Sequence, residues 1–82
     1  MNETWSNNLN TLDSIPDGKT VRLVRIDAGR RVRSSLAALG LISNIPITII
    51  RNSRVGQIIL SVKSSKIILG RGISNKIIVR EM

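Results

Sequence analysis

One stretch of the chain, Arg30 to Leu41, reads RRVRSSLAALGL, and its apolar residues recur with a helical period. Val32, Leu36 and Leu39 stand four and three residues apart, which stacks them on one helical face. Gly40 falls where a helix would stop in a left-handed residue. With Gly40 at C′, a Schellman ending pairs Leu36 at C3 with Leu41 at C″ in an apolar contact. Everything after it alternates like strands. The expected arrangement is one short helix, about residues 30–39, packed on or plugging a small sheet.

The strands follow in order. Thr20 to Asp27 is the first, with Val21 and Leu23 on one face and Val24 and Ile26 on the other. That slip of phase predicts a bulge or a sharp coil, as small barrels need to turn a corner. Ile45-Pro46 opens a strand that runs to Arg51, since proline fits a strand's first residue or an edge. Asn52 to Gly56 is a turn. Ile58, Leu60 and Val62 then alternate with Ile59, Ser61 and Lys63, and Ser64-Ser65 is the expected tip of a hairpin whose return strand points Ile67 and Leu69 inward. Gly70-Arg71-Gly72 breaks that strand, Ile73 to Lys76 forms a short helical turn, and Ile77 and Val79 end the sheet. Five short strands with closely spaced turns predict a mostly β fold, a small barrel. Ahead of it, Leu9, Leu12 and Ile15 are placed in one helical turn before Pro16-Asp17-Gly18, a strong turn signal.

The isoleucines of the other parity, Ile50, Ile59, Ile68 and Ile78, would face water in a one-sided sheet. Either the N-terminal segment and the helix cover them, the reading favoured here, or they form a surface for weak self-association. Residues 1–8 are expected to be a flexible extension and residues 9–82 a single domain. Trp5, the extension's large apolar group, either folds back onto an open sheet edge or anchors a partner.

Composition removes several function classes. The chain of 82 residues has no cysteine and no histidine, so disulfides and the usual zinc ligands are excluded. No apolar run is long enough to span a bilayer, and MNETWSNNLN is polar where a secretion signal needs an apolar region, so a cytoplasmic protein is expected. The five acids, Glu3, Asp13, Asp17, Asp27 and Glu81, are scattered, which gives acid–base catalysis no pair to use. An enzyme is not expected, nor is a cofactor or a metal site. Asp13 and Asp17 read as solvated turn acids, and Gly70-Arg71-Gly72 lacks the context of a phosphate loop.

Charge points toward an anionic partner. The formal charge is +8, and every Lys and Arg lies between Lys19 and Arg80 against one acid in that span, Asp27. Arg30, Arg31 and Arg33 oppose the dipole of the predicted helix in its first turn. They read either as a solvated face or as an anion-seeking patch, joined in the second case by Lys63, Lys66 and Arg71 from the hairpin.

Taken in order, these residues carry a resemblance. Leu12 to Gly18, the strand Val21–Ile26, Gly29, then Arg33, Leu36 and Leu39-Gly40-Leu41 resemble the FeoA family of ferrous iron transport protein A. The tail from Val62-Lys63-Ser64-Ser65 through Gly70 to Ile77-Ile78-Val79 is similar to it as well, so the likeness covers about residues 9–80. It implies an SH3-like barrel. It further implies an accessory protein that contacts FeoB, the membrane iron transporter with a cytosolic GTPase domain, and modulates its activity or assembly. Asn44 and Ser64 stand where the family favours glycine; asparagine tolerates left-handed backbone and serine does so less readily, so the likeness carries least at the 63–66 turn. The alternative function is nucleic-acid binding by a basic barrel. Single-strand binders place aromatic residues for base stacking, and outside Trp5 this chain has none, which leaves contact with phosphates alone. A regulator's C-terminal domain is disfavoured because no helix-turn-helix region stands in this chain.

Overall fold

A computed structural model of the chain describes residues 9–53 and 55–82. Six antiparallel strands form one sheet: β1 (Leu9–Thr11), β2 (Thr20–Ile26), β3 (Pro46–Asn52), β4 (Ile58–Val62), β5 (Ser65–Leu69) and β6 (Ile77–Glu81). Their order across the sheet is β1-β6-β2-β3-β4-β5, so among the described residues β1 and β5 are its edges and the sheet is open between them. The helix α1 (Arg30–Ala38) lies between β2 and β3, and a single turn, α2 (Arg71–Ser74), between β5 and β6. The architecture is the mostly β one that the alternation predicts, with one strand more. Leu9 to Thr11 pairs with β6 instead of joining a helical turn, and a 3-10 turn over Leu12–Ser14 follows it.

The core follows from parity. Val21, Leu23, Ile47, Ile49, Ile58, Leu60, Val62, Ile67, Leu69, Ile77 and Val79 all point inward and are buried. Two register shifts, between Leu23 and Arg25 and between Ile49 and Arg51, are the bulges through which the sheet coils. Pro46 is the first residue of β3, where its missing N–H costs no ladder bond. The β4–β5 hairpin turns over Lys63-Ser64, one residue earlier than Ser64-Ser65. Both residues have positive φ, 51° and 68°, the backbone of a two-residue turn that follows the strand twist. Asn44, at φ 69°, has the left-handed backbone expected of it.

α1 closes in the way its sequence predicts. Gly40 has φ 98°, its N–H donates to the Ala37 carbonyl at 2.9 Å, and the Leu41 N–H donates to the Leu36 carbonyl at 3.0 Å. Leu36 and Leu41 are buried, and Val32, partly buried, packs against the same core. Leu39 does not belong to the core face and is 52% exposed. The helix stops at Ala38, so Leu39 is the cap residue, and Leu41 occupies the interior position beyond the turn.

The isoleucines of the second parity divide. Ile59 and Ile78 are half-buried, whereas Ile50 and Ile68 are 45% and 55% exposed. The expected cover from α1 does not reach those two. The expectations for residues 1–8, including Trp5, lie outside the described residues.

A polar knot spans the open side of the sheet. Arg71 begins α2 just past β5, and Asp13 lies just past β1; Arg71 Nη1 stands 3.5 Å from Asp13 Oδ2. Arg71 Nη2 donates to Asn52 Oδ1 at 3.0 Å and to the Ser53 carbonyl. Asn52 Nδ2 donates in turn to the carbonyls of Asp13 and Ile15, at 2.9 and 2.8 Å. Its backbone N–H donates to Asp17 Oδ1 at 2.6 Å. The ends of β1, β3 and β5 are thereby joined by side chains where no ladder joins them. Asp13 and Asp17 are thus structural acceptors rather than free turn acids.

Candidate functional site

α1 starts without a side-chain cap. Its N-cap is Gly29, in extended backbone at φ −67° and ψ 169°, and no acid stands in the first turn. Arg30, Arg31 and Arg33 are all exposed there, adding positive charge to the positive end of the helix dipole. A helix start shaped for stability alone would carry Ser, Asp or Glu at these places. This one carries three bases there instead.

An open groove of about 410 Å³ runs between α1 and the end of β2. Buried Leu23 and Leu41 contribute to its lining, with Ala37 and Ile26, and Ile42, 49% exposed, adds accessible apolar surface. Arg25, Asp27 and Arg33 supply its charge. Arg25 Nε donates to Asp27 Oδ1 at 2.9 Å, an exposed pair whose stabilising effect is small. The groove thus sets apolar surface beside guanidinium forks, which have the geometry to pair with carboxylates.

The six basic residues singled out in the sequence have different fates. Arg30, Arg31 and Arg33 lie together at the start of α1. Lys63 and Lys66 are exposed on the β4–β5 hairpin. A Cβ on Gly40 would lie 3.6 Å from Val62 Cγ1, so this end of the hairpin meets the C-terminal end of α1. The hairpin that carries the lysines thus meets the end of α1 opposite to the one that carries the arginine triad. Arg71 is half-buried in the knot, its Nη atoms already partnered.

Two further arginines come together where the sequence gives no direct sign. Arg22 of β2 stands directly opposite Arg80 of β6, a like-charge cross-strand pair. Arg22 Nη1 donates to the Asn44 carbonyl at 2.8 Å. Strand parity places each on the outer face, but their meeting depends on β2 pairing with β6, which local pattern does not specify. Meanwhile Asp13, Asp17 and Asp27 are all engaged internally or with Arg25, so the positive surface is little offset. Among the described residues, no three His, Cys, Asp or Glu side chains gather into a set able to hold a metal ion. No helix among them is long and apolar enough to cross a membrane.

Comparison with known proteins agrees with this architecture. The family described as FeoA, FeoA domain, matches residues 10–81. A protein of Methanocaldococcus jannaschii named Fe(2+) transport protein A is 35% identical over 65 residues, covering 79% of this chain and 78% of its own. The crystal structure titled iron uptake regulatory protein (FeoA) superposes with a TM-score of 0.85 at 26% identity, over 90% of this chain and 99% of that one. A manganese-dependent transcriptional repressor shares the fold at a TM-score of 0.82 and 22% identity, over 90% of this chain but 42% of its own.

Proposed function

Because the chain belongs to the FeoA family, we propose that it is an accessory protein of ferrous iron uptake that docks on the cytosolic GTPase region of a FeoB-type transporter. The observation that carries this reading is the groove beside α1, apolar in part of its lining, with Arg33 of the uncapped helix start and Arg25 of β2 supplying its positive charge. Long-range attraction by Arg30, Arg31 and Arg33 would speed encounter with an acidic surface. Ile42 and the groove lining would then exclude water, and Arg25 and Arg33 would pair with carboxylates. The chain breaks and forms no covalent bond in this role. It modulates its partner's activity or assembly by occupying one of the partner's conformations in preference to another. It works in the cytoplasm, held at the inner face of the membrane through that partner.

The test measures binding of the purified chain to the cytosolic region of FeoB and, in parallel, to a generic RNA, each at low and moderate salt. Saturable FeoB binding that survives moderate salt, with RNA binding lost, supports the reading. Arg31→Glu with Arg33→Glu should weaken that contact by about tenfold or more while thermal unfolding stays unimpaired. Unchanged affinity in the double variant removes the helix start from the interface. RNA binding without FeoB contact overturns the assignment.

A further inference from the structure

The outer edge of β5 has the features of a docking strand. Its turn contains two residues, so Val62 and Ser65 form a hydrogen-bonded pair, and the alternation of an antiparallel ladder makes Leu60–Ile67 and Ile58–Leu69 the next such pairs. Lys66 and Ile68 consequently aim their N–H and C=O groups away from β4. Among the described residues no strand pairs with that side. Among the described residues the opposite edge, β1, has three residues, whereas β5 has five.

Side chains add a code to this edge. Ile68 is 55% exposed and directly opposite Ile59, and Ile50, 45% exposed, lies at the adjoining bulge of β3. Ile59 and Ile68 make an apolar pair on the outer face that ends at the open edge, with Ile50 beside Arg51, the β3 partner of Ile59, at the bulge. In the neighbouring row Lys66 stands opposite Ser61. Ile68 and Lys66 share the outer face because they are two apart, and Lys63 lies exposed in the turn beyond.

We infer that β5 accepts an added antiparallel strand from an acidic, extended segment of another protein, with an apolar residue beside Ile68 and a carboxylate beside Lys66. Read from its N-terminus, such a segment has the pattern apolar-x-acidic. Main-chain bonds to Lys66 and Ile68 supply attachment, and the alternate side chains supply selection. A second copy of this chain fits poorly. Antiparallel β5–β5 pairing through the same groups sets each Lys66 beside an Ile68 and joins two chains of formal charge +8. This inference is separate from the α1 groove and stands whether or not FeoB uses that groove.

The experiment follows backbone amide signals of the full chain on addition of a blocked peptide, Thr-Ile-Thr-Glu-Thr-Glu-Thr. A composition-matched peptide, with Ile and Glu adjacent, serves as control. Binding should slow hydrogen exchange at Lys66 and Ile68 and leave α1 unperturbed. Ile68→Pro deletes one outward N–H without touching the β4 ladder and should lower affinity about fivefold or more. Ile68→Val keeps the N–H and should change it less than about twofold. Lys66→Glu, which does not alter the backbone, keeps the test decisive if the proline variant unfolds; it should lose the acidic peptide and gain its lysine counterpart. Protection of both amides in the free chain, self-association that buries them, or equal binding of the control peptide would overturn the proposal.

Discussion

The two ends of α1 differ in nearly every respect. At its C-terminal end, Gly40 takes the left-handed turn, both Schellman bonds form, and Leu41 is buried. At its N-terminal end there is no side-chain cap, no acid, and a triad of exposed arginines. One end is arranged to hold the helix on the sheet. The other sets exposed positive charge at the positive end of the helix dipole, at a cost in local stability. The difference teaches that the helix is anchored from behind, where capping and burial coincide, and that its start contributes little to holding it.

The largest expected effect lies at the anchored end. Leu41→Ala should lower stability by about 2–5 kcal/mol, since Leu41 is 1% exposed and its removal leaves a cavity. Leu39→Ala, two residues earlier, should cost less than about 1 kcal/mol because Leu39 is half exposed. Denaturant unfolding of the pair separates the two positions; equal losses would mean that the anchor is wrongly placed. Gly40→Ala comes next, at about 1 kcal/mol. Its positive φ strains any side chain, but the added Cβ would meet Val62 only at ordinary contact distance.

This contrast also shows what local sequence can convey. The Gly40 ending was legible because a Schellman turn is written in neighbouring residues, and so was the inward parity of Ile58 to Val62. The exposure of Leu39 is not legible, because helical period alone does not say at which residue the helix stops. Nor is the strand at Leu9, because an edge strand gains its bonds from β6, far away in sequence. The place of Arg71 away from the surface bases is hidden for the same reason. Its partners, Asp13 and Asn52, are 58 and 19 residues distant, and only the folded sheet brings them within reach. Of the candidate site, the arginine triad was legible as three neighbours on one turn. Arg25, Ile42 and the groove between them were not, since the groove exists only once α1 lies beside β2.

At the open end, the expected changes are smaller and opposite in sign. Arg31→Glu with Arg33→Glu should raise stability by about 0.5–1 kcal/mol at low salt, because acids suit the first turn and bases do not. The gain should shrink as ionic strength rises, since the charges are exposed and screened. Thermal unfolding at two salt concentrations reads it directly. A variant that became more stable while losing its partner would identify the helix start as a recognition feature; one that lost stability would place the arginines in the fold instead.

The smallest change is the sharpest probe of the comparison. Gly29 lies in extended backbone, and a Cβ there would meet nothing within 4 Å, so Gly29→Ser fits without strain. Its hydroxyl can accept a bond from an unpaired N–H of the first turn, and serine exceeds glycine at this position by only a few tenths of a kcal/mol. Stability should rise by that amount with the arginines intact, and partner affinity should stay within about twofold, because the charge that steers encounter is unchanged. Combined with the double glutamate variant, the serine should add its increment independently if cap and dipole act on separate groups. If Gly29→Ser alone abolished binding, the partner would be using the bare N–H groups of the helix start, and the arginines would be secondary to the backbone they surround.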